Sequence, residues 1–150
     1  MGWEDLSWEN CHAEESDARV SAVEAVLGVR LPEDYRECIK KYHGGTPSRS
    51  RFTFKDQKLG DMESCLGVLL SLDEDDAENL VDTWHELAPQ LPRAVVPFAD
   101  DGGGDFICFD YRDVRQTTTP VVVYWHHERV QPEALTPLCN SFSEFMSMLY

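Results

Sequence analysis

The segment 94–125 most constrains the fold, because it contains three strand-forming runs with no helix between them. The runs 94–99 and 105–111 are separated by the glycine-rich turn 100–104, which predicts a β-hairpin. The β-branched and aromatic run 120–125 follows a threonine-rich loop and predicts a third, central strand. Strands grouped in this way, rather than alternated with helices, indicate an α+β domain with a mainly antiparallel sheet.

Helix signals lie on both sides of this strand-rich segment. Ser16 offers a cap for a first helix, and valines and a leucine recur at helical spacing until Gly28 ends it. Pro32 suits the first position of a second helix, which the His-Gly-Gly sequence at 43–45 ends. Ser141 begins a capping-box pattern that predicts a C-terminal helix. The strands are therefore expected to be flanked by helices.

The middle of the chain carries weaker signals. The short segment 52–54 and the apolar run 65–72 each predict a strand. Residues 73–76, Asp-Glu-Asp-Asp, predict the first turn of a third helix, because carboxylates suit the positive end of a helix dipole. The apolar face of that helix is expected to consist of Ala77, Leu80, Val81, Trp84 and Leu87.

The length of 150 residues suits a single domain, which we place at residues 1–150. Residues 1–15 are polar and are expected to form a loosely ordered lead-in, in which Trp3 and Trp8 are candidate exposed anchors for a partner. The N-terminus has neither the basic nor the apolar region of a secretory signal, and no apolar run reaches the length of a membrane helix. We therefore expect a cytoplasmic protein.

Acidic residues outnumber basic residues by 28 to 13, and the formal net charge is −15. This charge repels phosphate backbones and anionic lipid surfaces, so direct binding to nucleic acids or membranes is disfavoured. It attracts basic proteins, of which a nuclease is one example. Solubility alone also explains an acidic composition, and it is the preferred explanation as long as charge is the only observation.

The sequence contains no motif that predicts catalysis, a metal site or a cofactor. Its five cysteines are far apart and never form a Cys-x-x-Cys pair, which argues against a zinc site or a disulfide framework. The segment 100–105 lacks both the ligand spacing of an EF-hand and the lysine of a phosphate-binding loop, so a hairpin turn is favoured. His126 and His127 are adjacent on a strand and point to opposite faces, so they cannot bind one metal together. No local signature of a serine or cysteine nucleophile is present.

An ordered set of short motifs resembles one known family. The motifs are Leu27-Gly28, Leu-Pro-Glu-Asp-Tyr at 31–35, His-Gly-Gly at 43–45, Pro-Phe-Ala-Asp at 97–100 with Gly104-Asp105, Val121-Val122 with Trp125-His126, and Ser141-Phe142-Glu144-Phe145. In this order, over nearly the whole chain, they are similar to the SUKH superfamily, which includes fungal cell-wall-assembly regulators and many bacterial immunity proteins. One departure is His43, since the family commonly has asparagine before the Gly-Gly pair. Histidine can also occupy a helix-ending position, so the resemblance of the fold holds.

The resemblance implies a single α+β domain in which a strongly bent, antiparallel-dominated mixed sheet is flanked by helices. It also implies a protein-binding role, because in bacteria such proteins typically neutralise a cognate toxin in the cytoplasm of the cell that produces it. The family carries no agreed catalytic residues. No catalytic residue, metal ligand or cofactor is therefore transferred to this chain, and its oligomeric state is left open.

The leading hypothesis is an immunity protein that occludes a basic toxin domain, such as a nuclease, and steers its association by charge. A regulatory scaffold with endogenous partners is the first alternative. A hydrolase with a dispersed site is the second, and it requires a deep pocket with histidine or carboxylate groups of strongly shifted pKa. The residues predicted to contact the partner are Asp73, Glu74, Asp75, Asp76, Asp100, Asp101 and Asp105.

Overall fold

The computed structural model describes residues 2–113 and 119–150 and consists of helices packed on antiparallel sheets. In chain order the strands are β1 (Trp8–Glu9), β2 (Thr46–Pro47), β3 (Arg51–Asp56), β4 (Gly60–Cys65), β5 (Val95–Asp100), β6 (Phe106–Asp110), β7 (Val121–Trp125) and β8 (Leu135–Cys139). The helices are α1 (Asp17–Leu27), α2 (Glu33–Tyr42), α3 (Leu80–Leu87) and α4 (Phe142–Met148). The threonine-rich loop before β7 falls mainly on residues 114–118, outside the described residues.

The strands form three antiparallel sheets. β1 pairs with β2, β3 pairs with β4, and the remaining four lie in the order β5-β6-β7-β8. The α+β prediction is confirmed, as are the hairpin and the third strand of the segment 94–125. The expected mixed sheet is realised differently: in the described parts of the chain, parallel pairing is limited to an isolated bridge between Ser71 and Asn79. Short connections between successive strands favour antiparallel ladders, because a parallel pair needs a long crossover.

Local capping groups explain where the helices begin and end. Ser16 Oγ accepts a hydrogen bond from Arg19 N at 3.2 Å at the start of α1, and Gly28 ends this helix with a φ of 73°. Ser141 Oγ accepts a hydrogen bond from Glu144 N at 3.1 Å at the start of α4. These predicted boundaries are confirmed. Among the described residues, no helix combines the length and the apolar character of a membrane-spanning segment.

Both faces of the four-stranded sheet are buried. Successive residues of a strand point to opposite sides, so Phe109 belongs to the main core under the helices whereas Cys108 belongs to a smaller cluster around Trp125. In the main core the Tyr35 ring lies edge-on to Phe109 at 5.0 Å and to Phe142 at 5.3 Å. Each such aromatic pair contributes about 0.5–1.5 kcal/mol beyond the area that it buries. The sheet is therefore a rigid base for the turns that project from its ends.

The apolar run 65–72 does not form the regular strand that its composition predicts. β4 ends where this run begins, and residues 66–72 follow the edge of β5 with an isolated bridge between Leu69 and Ala99. The backbone of Leu69 also exchanges hydrogen bonds with residues 44–45. Because its backbone hydrogen bonds are divided between β5 and residues 44–45, the segment forms no continuous ladder with either of them.

The N-terminal lead-in has defined contacts that its polar composition did not indicate. The Trp8 ring stacks on the Tyr42 ring with centroids 4.8 Å apart, and Trp3 lies edge-on to the same ring at 6.0 Å. Leu6 is buried, and β1 pairs with β2. Trp3 and Trp8 are therefore partly buried against α2, which corrects the expectation that they are exposed anchors.

Candidate functional site

The two acidic segments that were predicted to bind a partner are neighbours in the structure. Both are hydrogen-bonded to residues 66–72: Asp73 N donates to Ser71 Oγ at 3.2 Å, and Val68 N donates to Asp100 Oδ1 at 2.9 Å. Hydrogen bonding with Asp100 is also the largest cause that raises the pKa of Glu78, so these two carboxyl groups lie close together. We name this surface the acidic face, and it consists of Asp73, Glu74, Asp75, Asp76, Glu78, Asp100, Asp101 and Asp105.

Residues 73–78 form turns before α3, and not the first turn of this helix as predicted. Asn79 caps α3, and its Oδ1 accepts a hydrogen bond from Asp82 N at 2.8 Å. The carboxylates of Asp73 and Asp76 each accept a hydrogen bond at 2.9 Å from the backbone N–H two residues further along. Such short-range bonds compete with helix formation, which explains the late start of α3.

His12 of the lead-in lies against these turns. Its Nε2 is 2.8 Å from Asp76 Oδ2, and its Nδ1 is 3.5 Å from Asp73 Oδ2. Burial raises the pKa of Asp76, but the hydrogen bonds from Glu78 N and from His12 outweigh this effect, so the pKa lies below its ordinary value. No sequence pattern connects His12 with these distant aspartates, and sequence reasoning missed it.

A second histidine positions the segment that leads into the same turns. His43 is buried, its Nδ1 accepts a hydrogen bond from Leu72 N at 3.1 Å, and its Nε2 lies 2.7 Å from Ala13 O. A carbonyl oxygen can only accept, so Nε2 is the nitrogen that carries the proton. The His12 and His43 rings are stacked with centroids 5.3 Å apart. The residue that departs from the usual family asparagine therefore also supports the acidic face.

The turn between β5 and β6 is held by Asp101 and Tyr124. Asp101 Oδ1 accepts hydrogen bonds from Gly103 N at 2.8 Å and from Asp105 N at 3.0 Å. Tyr124 Oη lies 2.8 Å from Asp101 Oδ2 and 2.9 Å from Asp105 Oδ2. Burial is the main cause that raises the pKa of Tyr124, so the hydroxyl keeps its proton and donates to one of the two carboxylates at a time. The predicted hairpin turn thus holds the carboxylates of Asp101 and Asp105 in defined positions.

The adjacent histidines after β7 have opposite surroundings. His127 Nδ1 is 2.5 Å from Asp105 Oδ1, and this hydrogen bond raises the pKa of His127. His126 is buried on the other side, where its Nε2 is 3.3 Å from Asp56 Oδ1, and burial lowers its pKa. The two rings cannot share a ligand. In residues 2–113 and 119–150, no group of three or more histidine, cysteine, aspartate or glutamate side chains could hold a metal ion.

Glu78 is the member of the acidic face that sequence reasoning missed. The hydrogen bond between its carboxyl group and that of Asp100, together with burial and the nearby negative charges, raises the pKa of Glu78 to about 7. In a helix that began at residue 73, Glu78 would not be expected to approach Asp100. The observed turns bring the two carboxyl groups together. The only sequence signal was its position two residues after the acidic run 73–76.

Few basic side chains of the described residues lie close enough to neutralise the acidic face. Within the described residues, the basic side chains with a nitrogen within 4.0 Å of its carboxylates are those of His12 and His127, and no lysine or arginine is among them. Closely spaced carboxylates without such cations repel one another and create a potential that attracts cationic partners. The arrangement is suited to electrostatic binding.

The surface also has two grooves, and Glu74 of the acidic face lines the first of them. One lies between α1 and α3 and includes Arg19, Val26 and Val81; the other lies beside Trp3 and Lys40. The hydrolase alternative requires a deep pocket with histidine or carboxylate groups of strongly shifted pKa. Among the described residues that line these two grooves, there is no histidine or cysteine, and Glu78 lines neither of them.

Comparisons with known proteins connect this architecture to a family. A model of the SMI1 / KNR4 family (SUKH-1) matches residues 14–148, from just before α1 to the end of α4. The chain is also 27% identical over 152 residues to the SPbeta prophage-derived uncharacterized protein YokK of Bacillus subtilis (strain 168), and the match covers 89% of the chain and 74% of that protein. The ordered motifs of the sequence had indicated the same relationship. The chain therefore belongs to the SMI1 / KNR4 family (SUKH-1).

Proposed function

We propose that this protein is an immunity protein that binds a toxin in the cytoplasm of the cell that produces both, and blocks the toxin by occlusion without catalysis of its own. The observation that carries this proposal is the acidic face, in which hydrogen bonds to residues 66–72 bring together eight carboxylates from the turns 73–78 and 100–105. The partner that fits this surface is a basic protein domain, such as a nuclease.

For electrostatic reasons, such a surface favours the binding of a basic partner but does not stabilise the folded protein. Carboxylates that face one another raise the energy of the folded protein, because like charges repel and few cations relieve them. A basic partner removes this repulsion on binding and is attracted over several ångströms before contact. Charge of this kind acts mainly on the association rate and on the choice of partner.

Family membership supports the same class of function. Proteins of this family have immunity or regulatory roles and generally bind protein partners. The regulatory scaffold therefore remains the second candidate, and its supporting observation is the family itself. The two candidates differ in the source of the partner, because a scaffold binds endogenous proteins and needs no toxin.

Co-expression tests this proposal. Each toxin-like protein encoded beside the gene would be expressed alone and together with this protein, and both cell survival and co-purification of a complex would be scored. Rescue of growth together with a stable complex is the expected result. A neighbour that kills the cells whether or not this protein is present, or the absence of any toxic neighbour, would favour the regulatory scaffold instead.

The same strains also test whether the acidic face is needed for rescue. A double variant with Glu74→Lys and Asp75→Lys changes two exposed side chains of the acidic face and should weaken rescue. A matched variant with Glu9→Lys and Glu86→Lys changes the net charge by the same amount at two exposed side chains outside the acidic face and should still rescue. Equal rescue by both variants would argue that net charge, and not the acidic face, determines binding.

A further inference from the structure

One side of α1 is apolar and has no covering element within the described chain. Val20, Val23 and Leu27 face the core, but Val26 is also apolar and is 49% exposed. Ala22 lies one turn before Val26 and is exposed as well. A surface helix ordinarily presents charged or polar side chains to water. This side of α1 departs from that pattern where it borders the groove shared with α3.

The groove itself is apolar at its base. Ala22 and Val26 line it on the α1 side, and Val81 lines it on the α3 side. Val23 and Leu72, which also line it, are nearly fully buried and form its floor. An aliphatic or aromatic side chain that enters the groove would remove apolar surface from water, which favours binding.

Charged side chains surround the opening. Glu74 of the acidic face and Asp82 of α3 both line the groove and are exposed. In the described parts of the chain, neither carboxylate has a lysine or arginine within 4.0 Å. Arg19 lines the α1 side, where its Nε and Nη2 donate to Leu72 O at 3.2 and 2.7 Å. These bonds hold the guanidinium in place, so a partner cation would meet Glu74 and Asp82.

We infer that the groove between α1 and α3 is a docking site for a protein segment in which an aliphatic or aromatic side chain is adjacent to a lysine or arginine. The inference rests on the proposed function, because a basic toxin attracted by the acidic face reaches the same edge of the molecule. Glu74 belongs to both surfaces and makes them continuous. The acidic face then sets the association rate, and the apolar anchor in the groove slows dissociation.

A peptide titration followed by two-dimensional NMR tests this inference on the full chain. The probe is an acetylated, amidated peptide with one leucine between two arginines, and its two controls replace the leucine by glycine or the arginines by glutamates. We expect shifts at Ala22, Val26 and Val81, and a loss of affinity of about tenfold or more for either control peptide. Shifts confined to the turns 73–78 and 100–105 that do not depend on the leucine would overturn the inference, as would the absence of binding.

Matched variants distinguish docking from general effects of mutation. Val26→Asn removes an exposed valine of the groove, and Val130→Asn removes a valine that is 80% exposed on the loop before β8. Similarly, Glu74→Gln removes a carboxylate of the rim, and Glu86→Gln removes an exposed one of α3 that does not line the groove. Both groove variants should weaken peptide binding about fivefold or more while both controls leave it unchanged. Equal effects within each pair would overturn the inference.

Binding measurements with the toxin distinguish a failure of this inference from a failure of the proposed function. If a neighbouring toxin is bound and Val26→Asn accelerates dissociation of the complex about tenfold, the groove is part of the interface. If the toxin is bound equally well by Val26→Asn, Val130→Asn and the wild type, the groove inference is wrong although immunity stands. If no toxin is bound at all, the proposed function fails, and the peptide titration still decides the groove inference.

Discussion

Two acidic regions of this molecule differ in how their charge is balanced. Between α1 and α2, Arg36 Nη1 lies 2.5 Å from Glu24 Oε1 and Lys40 Nζ lies 2.8 Å from Asp17 Oδ1, with Glu33 and Glu37 also in ion pairs to these two cations. On the acidic face, the described neighbours are two histidines and no lysine or arginine. The first region neutralises its carboxylates with lysine and arginine of the same chain, and the second does not, as the proposed binding role requires.

The ion pairs between α1 and α2 support the fold, whereas the acidic face is proposed to support binding. The side chains of Arg36 and Glu24 are only 14% and 15% exposed, and Glu24 Oε2 also accepts a hydrogen bond from Leu31 N at 2.7 Å. This pair therefore connects α1 to the start of α2. Glu74 and Asp75 are exposed and make no described ion pair. Substitutions in the two regions should consequently alter different measured quantities.

The largest expected effect is the loss of stability when Arg36 is replaced by methionine. The substitution keeps much of the aliphatic packing but leaves the mostly buried Glu24 carboxylate without its cation, so the free energy of unfolding should fall by about 2 kcal/mol. Urea denaturation measures the change, and combining Arg36→Met with Glu24→Gln should recover part of it. A loss below about 0.5 kcal/mol would show that this network does not support the fold.

The second effect is on the rate of association with a basic toxin. Replacing Glu74 and Asp75 by lysine should slow association at low salt by about tenfold and reduce its salt dependence, because both depend on the potential of the acidic face. Replacing Glu9 and Glu86, two exposed residues outside the acidic face, by lysine is the matched control and should change the rate much less. Surface plasmon resonance or stopped-flow mixing with an inactive toxin provides the rates. Similar rates for the two variants would argue that net charge, and not the acidic face, determines the rate.

The third effect is a pH dependence of stability that comes from Glu78. Its pKa of about 7 in the folded protein lies above the ordinary 4.5, so the folded state binds this proton more tightly and stability falls as the pH rises from 4.5 to 7. Because Glu78 is exposed, solvent screening limits the fall to about 1 kcal/mol. Glu78→Gln should lack this component when unfolding is measured across that range. Parallel pH profiles of wild type and variant would contradict the contact with Asp100.

The smallest effect is the response of stability to salt. Repulsion within the acidic face is screened by added salt, so the free energy of unfolding of the wild type should rise by a few tenths of a kcal/mol, about 0.5 at most, between low and near-molar sodium chloride. A variant with Glu74→Gln and Asp75→Asn should respond less, because it has lost part of the repulsion. A steeper response in this variant than in the wild type would indicate that other charges dominate.

Sequence reasoning succeeded where structure depends on neighbouring residues. Ser16 and Ser141 cap their helices and Gly28 ends α1 as predicted, because each of these roles is fulfilled within a few residues. The hairpin followed from the two runs on either side of a glycine turn, and β7 followed from the β-branched and aromatic run 120–125. These local signals were sufficient for the α+β class and for the family.

Sequence reasoning failed where contacts between distant segments determine the structure. Residues 66–72 share their backbone hydrogen bonds between β5 and residues 44–45, which no local pattern reveals. β8 was not predicted because Pro137 interrupts its pattern, and the register shifts beside this residue. The approach of His12 to Asp76 and of Glu78 to Asp100 likewise depends on how separate segments meet. Seven of the eight acidic residues could be named from the sequence, but Glu78 and the approach of the two segments could not.

Hydrogen–deuterium exchange on the complex with a neutralised toxin is the most direct test of the central claim that the acidic face binds the partner. Backbone amides in the turns 73–78 and 100–105 should exchange more slowly in the complex than in the free protein, and those of α2 should exchange at the same rate in both. Protection that is confined to α2 or to the loop before β8, with unchanged exchange in both acidic turns, would contradict the account.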